Sequence, residues 1–296
     1  MSTRTITVLG AGRMGAAIAG QLAANGADVR VWNRTTARAA ALATDRIRPV
    51  ENLSEAVRGA DVIISILSNA SAVRETLGAI TDDLDSGALV VEASTIDPSM
   101  MAEVAAQLPV SVLSCAVSGT PAVVASGSAG LLVSGTEEAR LTAAPALALF
   151  SARTVAVGDR VEDAKLVKIG VNAVLAGTME LLAESTVMLE AGGVGRATFA
   201  DALAGSVLAS TYTGYKLKAL CDRDYSPTFA TRDLRKDVAL AVSEAERSNI
   251  DLPFARRLVD LLDETIDRGW GDLDFLALVP RLQAANELSS DLPLLA

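Results

Sequence analysis

Three observations predict the fold class. Short apolar strands alternate with helices across the first 160 residues. A glycine-rich turn joins the first strand to the first helix. Beyond Gly158, helical periodicity runs on with almost no strand signal. Strand–helix alternation of this kind builds a doubly wound parallel sheet with helices on both faces. The expected fold is therefore α/β: an N-terminal Rossmann-type doubly wound sheet over residues 1–160, joined by a long helix at about 161–190 to an all-α domain. That second domain, residues 161–296, is expected to carry substrate binding and oligomer contacts.

Residues 4–9 form a short buried strand and residues 16–23 a helix, with Gly10-Ala11-Gly12-Arg13-Met14-Gly15 between them. In that setting G-x-G-x-x-G has a physical meaning. The first glycine permits the tight turn, the second lets a pyrophosphate approach the backbone, and the third lets helix and strand pack closely. The helix N-terminus then faces the phosphates with its free N–H groups. The second strand, residues 28–32, ends in Asn33-Arg34-Thr35. A site for NAD usually has an acidic residue here to hold the ribose 2′-hydroxyl. No acid follows this strand. Arg34 offers a planar fork suited to a 2′-phosphate, Asn33 and Thr35 can add hydrogen bonds, and Arg38 lies one helical turn on. The cofactor predicted is NADP (NADPH).

Residues 36–43 are expected to be helical, and residues 54–58 a short helix capped by Asn52 or Ser54. Strands follow at 61–67, 88–92, 110–113, 130–133 and 154–157, with helices such as 98–108 and 137–149 between them. Ligands in such sheets lie beyond the carboxyl ends of the strands. Leu67-Ser68-Asn69 and Ser94-Thr95 stand at such ends, so Leu67, Ser68, Ser94 and Thr95 are candidates to line the cofactor; the same polar residues could instead cap the next helix. In the second half, Leu175, Met179 and Leu182 mark the apolar face of a long helix, which Ala191-Gly192-Gly193-Val194-Gly195 breaks. Further helices are expected near 197–204 and 207–217, a loop at 222–227, and a helix whose face carries Leu234, Val238, Ala241 and Ala245. Another helix starts at Pro253 and ends at Gly269. Residues 289–296 are expected to be a loose tail.

The balance of charge is acidic, formally −10, which argues against a nucleic-acid partner. The two cysteines, Cys115 and Cys221, lack metal-ligand spacing, which suits a reducing cytoplasm and no metal. Histidine is absent, so no histidine acid, base or ligand is available. No signal peptide is expected, because the first strand begins by about the fourth residue. The most apolar long segment, 166–183, carries Lys168, Asn172 and Glu180, so it is expected to be a buried helix rather than a membrane span.

A carbonyl reductase needs an acid to protonate the oxygen as hydride reaches carbon. Lys168 and Asn172 are four apart on the long helix and share a face. A lysine starts protonated at neutral pH and can give a proton in reduction or take one in oxidation. Asn172 can orient it or bind the same oxygen. Lys165, three residues away, is a competitor for the role. The site is expected in the cleft between the domains.

These motifs, with Glu92-Ala93-Ser94-Thr95-Ile96-Asp97-Pro98, Val117-Ser118-Gly119, Lys168-Ile169-Gly170-Val171-Asn172, Lys236-Asp237 and Gly271-Asp272-Leu273-Asp274-Phe275, follow the order of a known family. The chain resembles the β-hydroxyacid dehydrogenases, which include 3-hydroxyisobutyrate dehydrogenases and glyoxylate/succinic semialdehyde reductases. The resemblance implies that Lys168 is the catalytic lysine and Asn172 its partner. It also implies that Ser118 and Gly119 bind the substrate carboxylate, that Thr95 and Lys236 meet the cofactor, and that Phe229 and Asp237 lie near the substrate. It implies a homodimer or homotetramer acting on a small molecule. The chain departs from the family pattern at Ser114-Cys115-Ala116, where Asp-Ala-Pro is usual, at Thr120 and Ser68, and at Glu162-Asp163-Ala164. Three other readings stand beside this one. Imine reductases resemble the chain in its cofactor half but usually lack the lysine. A short-chain dehydrogenase is suggested by Tyr212-x-x-x-Lys216, which lies in the wrong half of the chain and is read as chance. The third is a cofactor-binding module without catalysis.

Overall fold

The computed structural model describes residues 5–292. It consists of two compact units, Met1–Lys168 and Ile169–Ala296. The predicted strand residue Arg4 and the last four residues of the predicted tail lie outside the described residues.

The first unit is built on strands β1 (Ile6–Leu9), β2 (Val29–Trp32), β3 (Ile47–Pro49), β4 (Val62–Ser65), β5 (Leu89–Glu92), β6 (Ser111–Ser118), β7 (Gly130–Ser134) and β8 (Arg153–Gly158). Its helices are α1 (Arg13–Ala24), α2 (Thr36–Ala40), α3 (Leu53–Val57), α4 (Ala70–Gly78), α5 (Pro98–Gln107), α6 (Pro121–Ala125) and α7 (Glu137–Leu147). The sheet order is β3-β2-β1-β4-β5-β6-β7-β8. Strand order reverses at β1, with β2 on one side and β4 on the other, so the glycine turn that leaves β1 stands at the switch point where such sheets bind ligands. Strands β1, β4 and β5 are buried along their whole length, which explains their near-continuous apolar sequence. One apolar cluster, with Val8, Ile18, Leu22, Val31 and Val91, covers one face; another, with Leu9, Ile63, Leu77, Val90 and Met101, covers the other.

The sheet is parallel except at β6–β7, which pair antiparallel. A parallel crossover needs a dozen or more residues. Only the short stretch holding the five-residue α6 joins these strands, so β7 returns in the opposite direction. Two strands depart from expectation. Strand β3 escapes sequence patterning because it is three residues long, two of them Arg48 and Pro49, and Pro49 is tolerated because β3 lies at an edge. Strand β6 runs to Ser118 rather than stopping at residue 113, since its partner β7 continues the pairing from Ser114 to Ser118. Helix α2 ends at Ala40, three residues early.

The second unit contains the greater part of α8 (Asp163–Ala191), then α9 (Arg196–Ala204), α10 (Thr211–Asp222), α11 (Thr231–Arg247), α12 (Pro253–Thr265) and α13 (Leu278–Ala285). Met179, Leu182, Leu217, Leu234, Val238, Leu258, Leu262 and Phe275 form its core. Helix α8 is long and apolar enough to cross a membrane by length and composition. It also sends Ala176, Met179, Ala183 and Val187 into this core and carries the buried polar residues Asn172 and Glu180. The helix expected from residue 207 starts at Thr211. Ser210 accepts the N–H of Thr213, whose hydroxyl accepts the Ser210 N–H in return, and this reciprocal cap fixes the start. Gly269, at φ 81°, ends the helical run from Pro253 as expected. The tail expected to be loose is anchored in its described part. The Asp291 side chain is 3% exposed, pairs with Arg196 at 2.6 Å and accepts the Tyr225 hydroxyl at 2.6 Å.

Candidate functional site

The glycine turn is shaped by what each position excludes. Gly10 sits at φ 113°, and a Cβ there would lie 2.1 Å from the Ile66 carbonyl oxygen; a Cβ at Gly15 would lie 2.0 Å from the Gly10 oxygen. Both are therefore needed for the chain's own packing. Gly12 differs: nothing lies within 4 Å of where its Cβ would be, it is exposed, and as N-cap of α1 it brings no side chain to the helix N-terminus. Bare backbone N–H groups facing open space fit a pyrophosphate. Ala11 is buried, Met14 half-buried and Arg13 exposed.

Asn33 holds this turn. Its Oδ1 accepts the Ala11 N–H at 3.0 Å and its Nδ2 donates to the Thr35 carbonyl at 3.0 Å. Sequence reasoning assigned Asn33 to the cofactor and missed this tie, because the residue it holds is 22 positions away. Arg34 and Thr35 are exposed at the end of β2, and no carboxylate among the described residues pairs with Arg34.

At the end of β4, Leu67 donates its N–H to the Ser94 Oγ at 2.8 Å, Ser68 is exposed, and Asn69 caps α4 by accepting the Ala72 N–H. Ser94 is buried, and its own N–H donates to Glu92. Its hydroxyl thus ties β4 to β5, while Thr95 beside it is half-buried.

Under these strand ends lies a buried charge pair. Lys165 Nζ is 2.7 Å from Glu92 Oε2, with both side chains wholly buried. The same ammonium donates to the carbonyl oxygens of Glu92, Ser94 and Cys115 at 2.8–3.0 Å. A lysine so enclosed cannot exchange protons with a substrate, so Lys165 is not a competitor for catalysis. Its sequence signal, a lysine beside Lys168 at the start of a helix, carried no information about burial. The departure at Ser114-Cys115-Ala116 proves to be interior: all three residues are buried within β6, and burial pushes the Cys115 thiol up to about 12. Ser118, the last residue of β6, and Gly119, at φ 150°, are exposed. Thr120 caps α6.

In the second unit three predicted residues come together. Asn172 Nδ2 donates to Asp237 Oδ2 at 2.7 Å, and Lys236 Nζ lies 2.8 Å from Asp237 Oδ1. Asn172 and Asp237 are buried, whereas Lys236 is part-exposed. Lys168, half-buried, stands one turn before Asn172 on α8. Phe229 is set edge-on to Phe275, and its N–H donates to Asp274. Asp274 also pairs with buried Lys216 at 2.6 Å, and Tyr212 donates its hydroxyl to the Leu175 carbonyl. Both members of the Tyr-x-x-x-Lys pattern are thus engaged in packing. No group of three potential metal ligands occurs among the described residues.

Comparison with known proteins agrees with this layout. Residues 5–158 match the NAD binding domain of 6-phosphogluconate dehydrogenase, and residues 163–282 match the NAD-binding domain of NADP-dependent 3-hydroxyisobutyrate dehydrogenase. The chain is 28% identical over 284 residues to YfjR, an uncharacterized oxidoreductase of Bacillus subtilis (strain 168), covering 93% of this chain and 98% of that one. It is 24% identical over 289 residues to glyoxylate/succinic semialdehyde reductase 1 of Arabidopsis thaliana, covering 94% and 98%. Among solved structures, 3-hydroxyisobutyrate dehydrogenase of Mycobacterium tuberculosis shares the fold with a TM-score of 0.88 at 24% identity, over 95% of this chain and 99% of that one. An imine reductase variant from Myxococcus stipitatus, in complex with NAD+, shares it with a TM-score of 0.64 at 21% identity, over 94% and 99%. The glycine turn at the switch point, the two matched domains and the full-length relatives together place the chain in the β-hydroxyacid dehydrogenase family of pyridine-nucleotide-dependent oxidoreductases.

Proposed function

We propose that this oxidoreductase uses NADP(H) to interconvert a small β-hydroxyacid and the corresponding aldehyde or keto acid, with Lys168 as acid and base. The observation that carries the reading is the contrast between two neighbouring lysines. Lys165 is locked among carbonyl oxygens, while Lys168 is half-buried one turn from Asn172. When bound, the nicotinamide supplies or accepts the hydride. Lys168 gives its proton to the carbonyl oxygen in reduction and takes it from the hydroxyl in oxidation. The bare N-terminus of α1 and the open space at Gly12 favour the pyrophosphate, with Gly10, Ala11, Arg13, Met14 and Gly15 shaping that turn. Arg34, exposed and without a carboxylate partner among the described residues, favours a 2′-phosphate, and Thr35 sits beside it. Leu67, Ser68, Ser94, Thr95 and Lys236 complete the cofactor contacts in this reading. The Ser118 hydroxyl and the Gly119 N–H hold the substrate's acid end, and Phe229 is a further substrate residue in this reading.

Two substitutions test the parts separately. Arg34→Ala should raise KM for NADPH by about tenfold or more and leave that for NADH nearly unchanged; an equal rise for both would reject the 2′-phosphate role. Lys168→Ala should lower kcat by about a hundredfold or more with NADPH affinity retained, and unaltered turnover would reject the acid/base role.

The likeness to an imine reductase keeps a second reading in view, reduction of C=N with NADPH. A panel of glyoxylate, succinic semialdehyde and a cyclic imine separates the two. Bound NADPH without turnover on any of them would mark a cofactor-binding module. In the same reading the protein is cytoplasmic and a homodimer or homotetramer, supported by the apolar residues that α8 leaves exposed.

A further inference from the structure

Asp237 is engaged at both carboxylate oxygens by side chains of the second unit. It is buried, one carboxylate oxygen accepts from Asn172 and the other lies against the Lys236 ammonium. Resemblance places this residue near the substrate, but the geometry points to a different task. We propose that Asp237 is a positioning residue: its carboxylate holds the Asn172 amide in the one orientation that presents the amide oxygen to the Lys168 ammonium. The proposal rests on the reading of Lys168 as the proton carrier.

A primary amide donates from one end and accepts at the other, whereas a carboxylate only accepts. The Asn172 NH2 must therefore face Asp237, as the 2.7 Å bond from Nδ2 shows, and the Asn172 oxygen is turned away. Helical side chains lean toward the N-terminus of their helix, so the Asn172 side chain lies over the turn that carries Lys168. An ammonium has three donors and no acceptor. It can use an amide oxygen and is repelled by an amide NH2. With the amide reversed, Asn172 would set two like-polarised groups against each other. Asp237 removes that alternative, and Lys236 at its second oxygen holds the carboxylate in place. Asp233, one turn before Asp237 on α11, borders this arrangement: burial raises its carboxyl, the Lys236 ammonium opposes that rise and the Asp237 charge adds to it.

The chain has five lysines, Lys165, Lys168, Lys216, Lys218 and Lys236, so a protein labelled with 13C at the lysine ε-carbon gives few signals. The Lys168 signal is assigned by its loss in Lys168→Ala, and its titration is followed by NMR in the full chain without cofactor. Asn172→Ala is expected to lower the Lys168 midpoint by about one pH unit, the effect of one lost hydrogen bond to a charged group. Asp237→Ala should lower it by the same amount, and the double variant should go no further. Asp237→Asn keeps an acceptor for Asn172 while removing the charge, so its midpoint should fall clearly less than that of Asp237→Ala. The proposal is overturned if Asp237→Asn falls as far as Asp237→Ala, if the two single shifts add in the double variant, or if neither single variant shifts. If Asp237→Ala does not fold, Asp237→Asn with and without Asn172→Ala decides the matter in the same way. These midpoints do not depend on turnover, so failure of the proposed reaction would show only in the kinetics of Lys168→Ala.

Discussion

Asn33 and Arg34 are adjacent, yet they act at different ranges. Arg34 is exposed and meets no carboxylate among the described residues, while Asn33 turns back to hold Ala11 of the glycine turn. Removing a neutral hydrogen bond of this kind costs about 1 kcal/mol. Asn33→Ala is therefore expected to weaken NADPH and NADH alike, by roughly two- to tenfold, measured as Kd by quenching of protein fluorescence. Loss confined to NADPH would mean that Asn33 recognises the 2′-phosphate instead. The glycines were readable from spacing because the turn itself calls for them, although the Ile66 carbonyl, distant in the chain, also excludes a side chain at Gly10. The roles of Asn33, Ser94 and Lys165 were not, because each is defined by a backbone group at least 22 residues away.

At the scale of elements, the segment after α13 shows how a sequence without periodicity can still be ordered. Asp291 follows no pattern, but it closes on Arg196 at the first turn of α9 and on Tyr225 in the loop before α11. Burial alone would raise the Asp291 carboxyl. The Tyr225 hydroxyl and the Arg196 guanidinium outweigh that and hold it below the ordinary value. A carboxyl whose pKa is lowered by folding stabilises the protein above the unfolded value, about 3.9, and that contribution is lost as pH falls through the lower folded value. Breaking a buried pair by removing one partner costs about 3 kcal/mol. Asp291→Ala should therefore lower Tm clearly at pH 7, and the difference from the unaltered protein should shrink as pH falls below about 4. A difference in Tm independent of pH would place the stabilisation in packing rather than in the charge.

At the scale of the whole molecule, α8 leaves Val171, Val174, Leu181 and Met188 exposed, the last three spaced seven apart and so on one face. Apolar residues aligned in this way fit the association surface of the proposed homo-oligomer. Light scattering after gel filtration should show a homo-oligomer that Val174→Glu combined with Leu181→Glu converts to monomer while the fold, by circular dichroism, is kept. A monomeric unaltered protein, or an oligomer indifferent to both changes, would remove α8 from the interface. The alternation of strands and helices, the glycine turn, the absence of an acid after β2 and the Lys168–Asn172 spacing were all determined by sequence alone, because each depends on residues a few positions apart. Tertiary structure decided the rest: the reversal of β7, the order of the edge strands, the enclosure of Lys165 and the junction of Asn172 with Asp237. Those are contacts between segments distant in the chain, and neither propensity nor periodicity records which distant groups the folded backbone will bring within hydrogen-bonding reach.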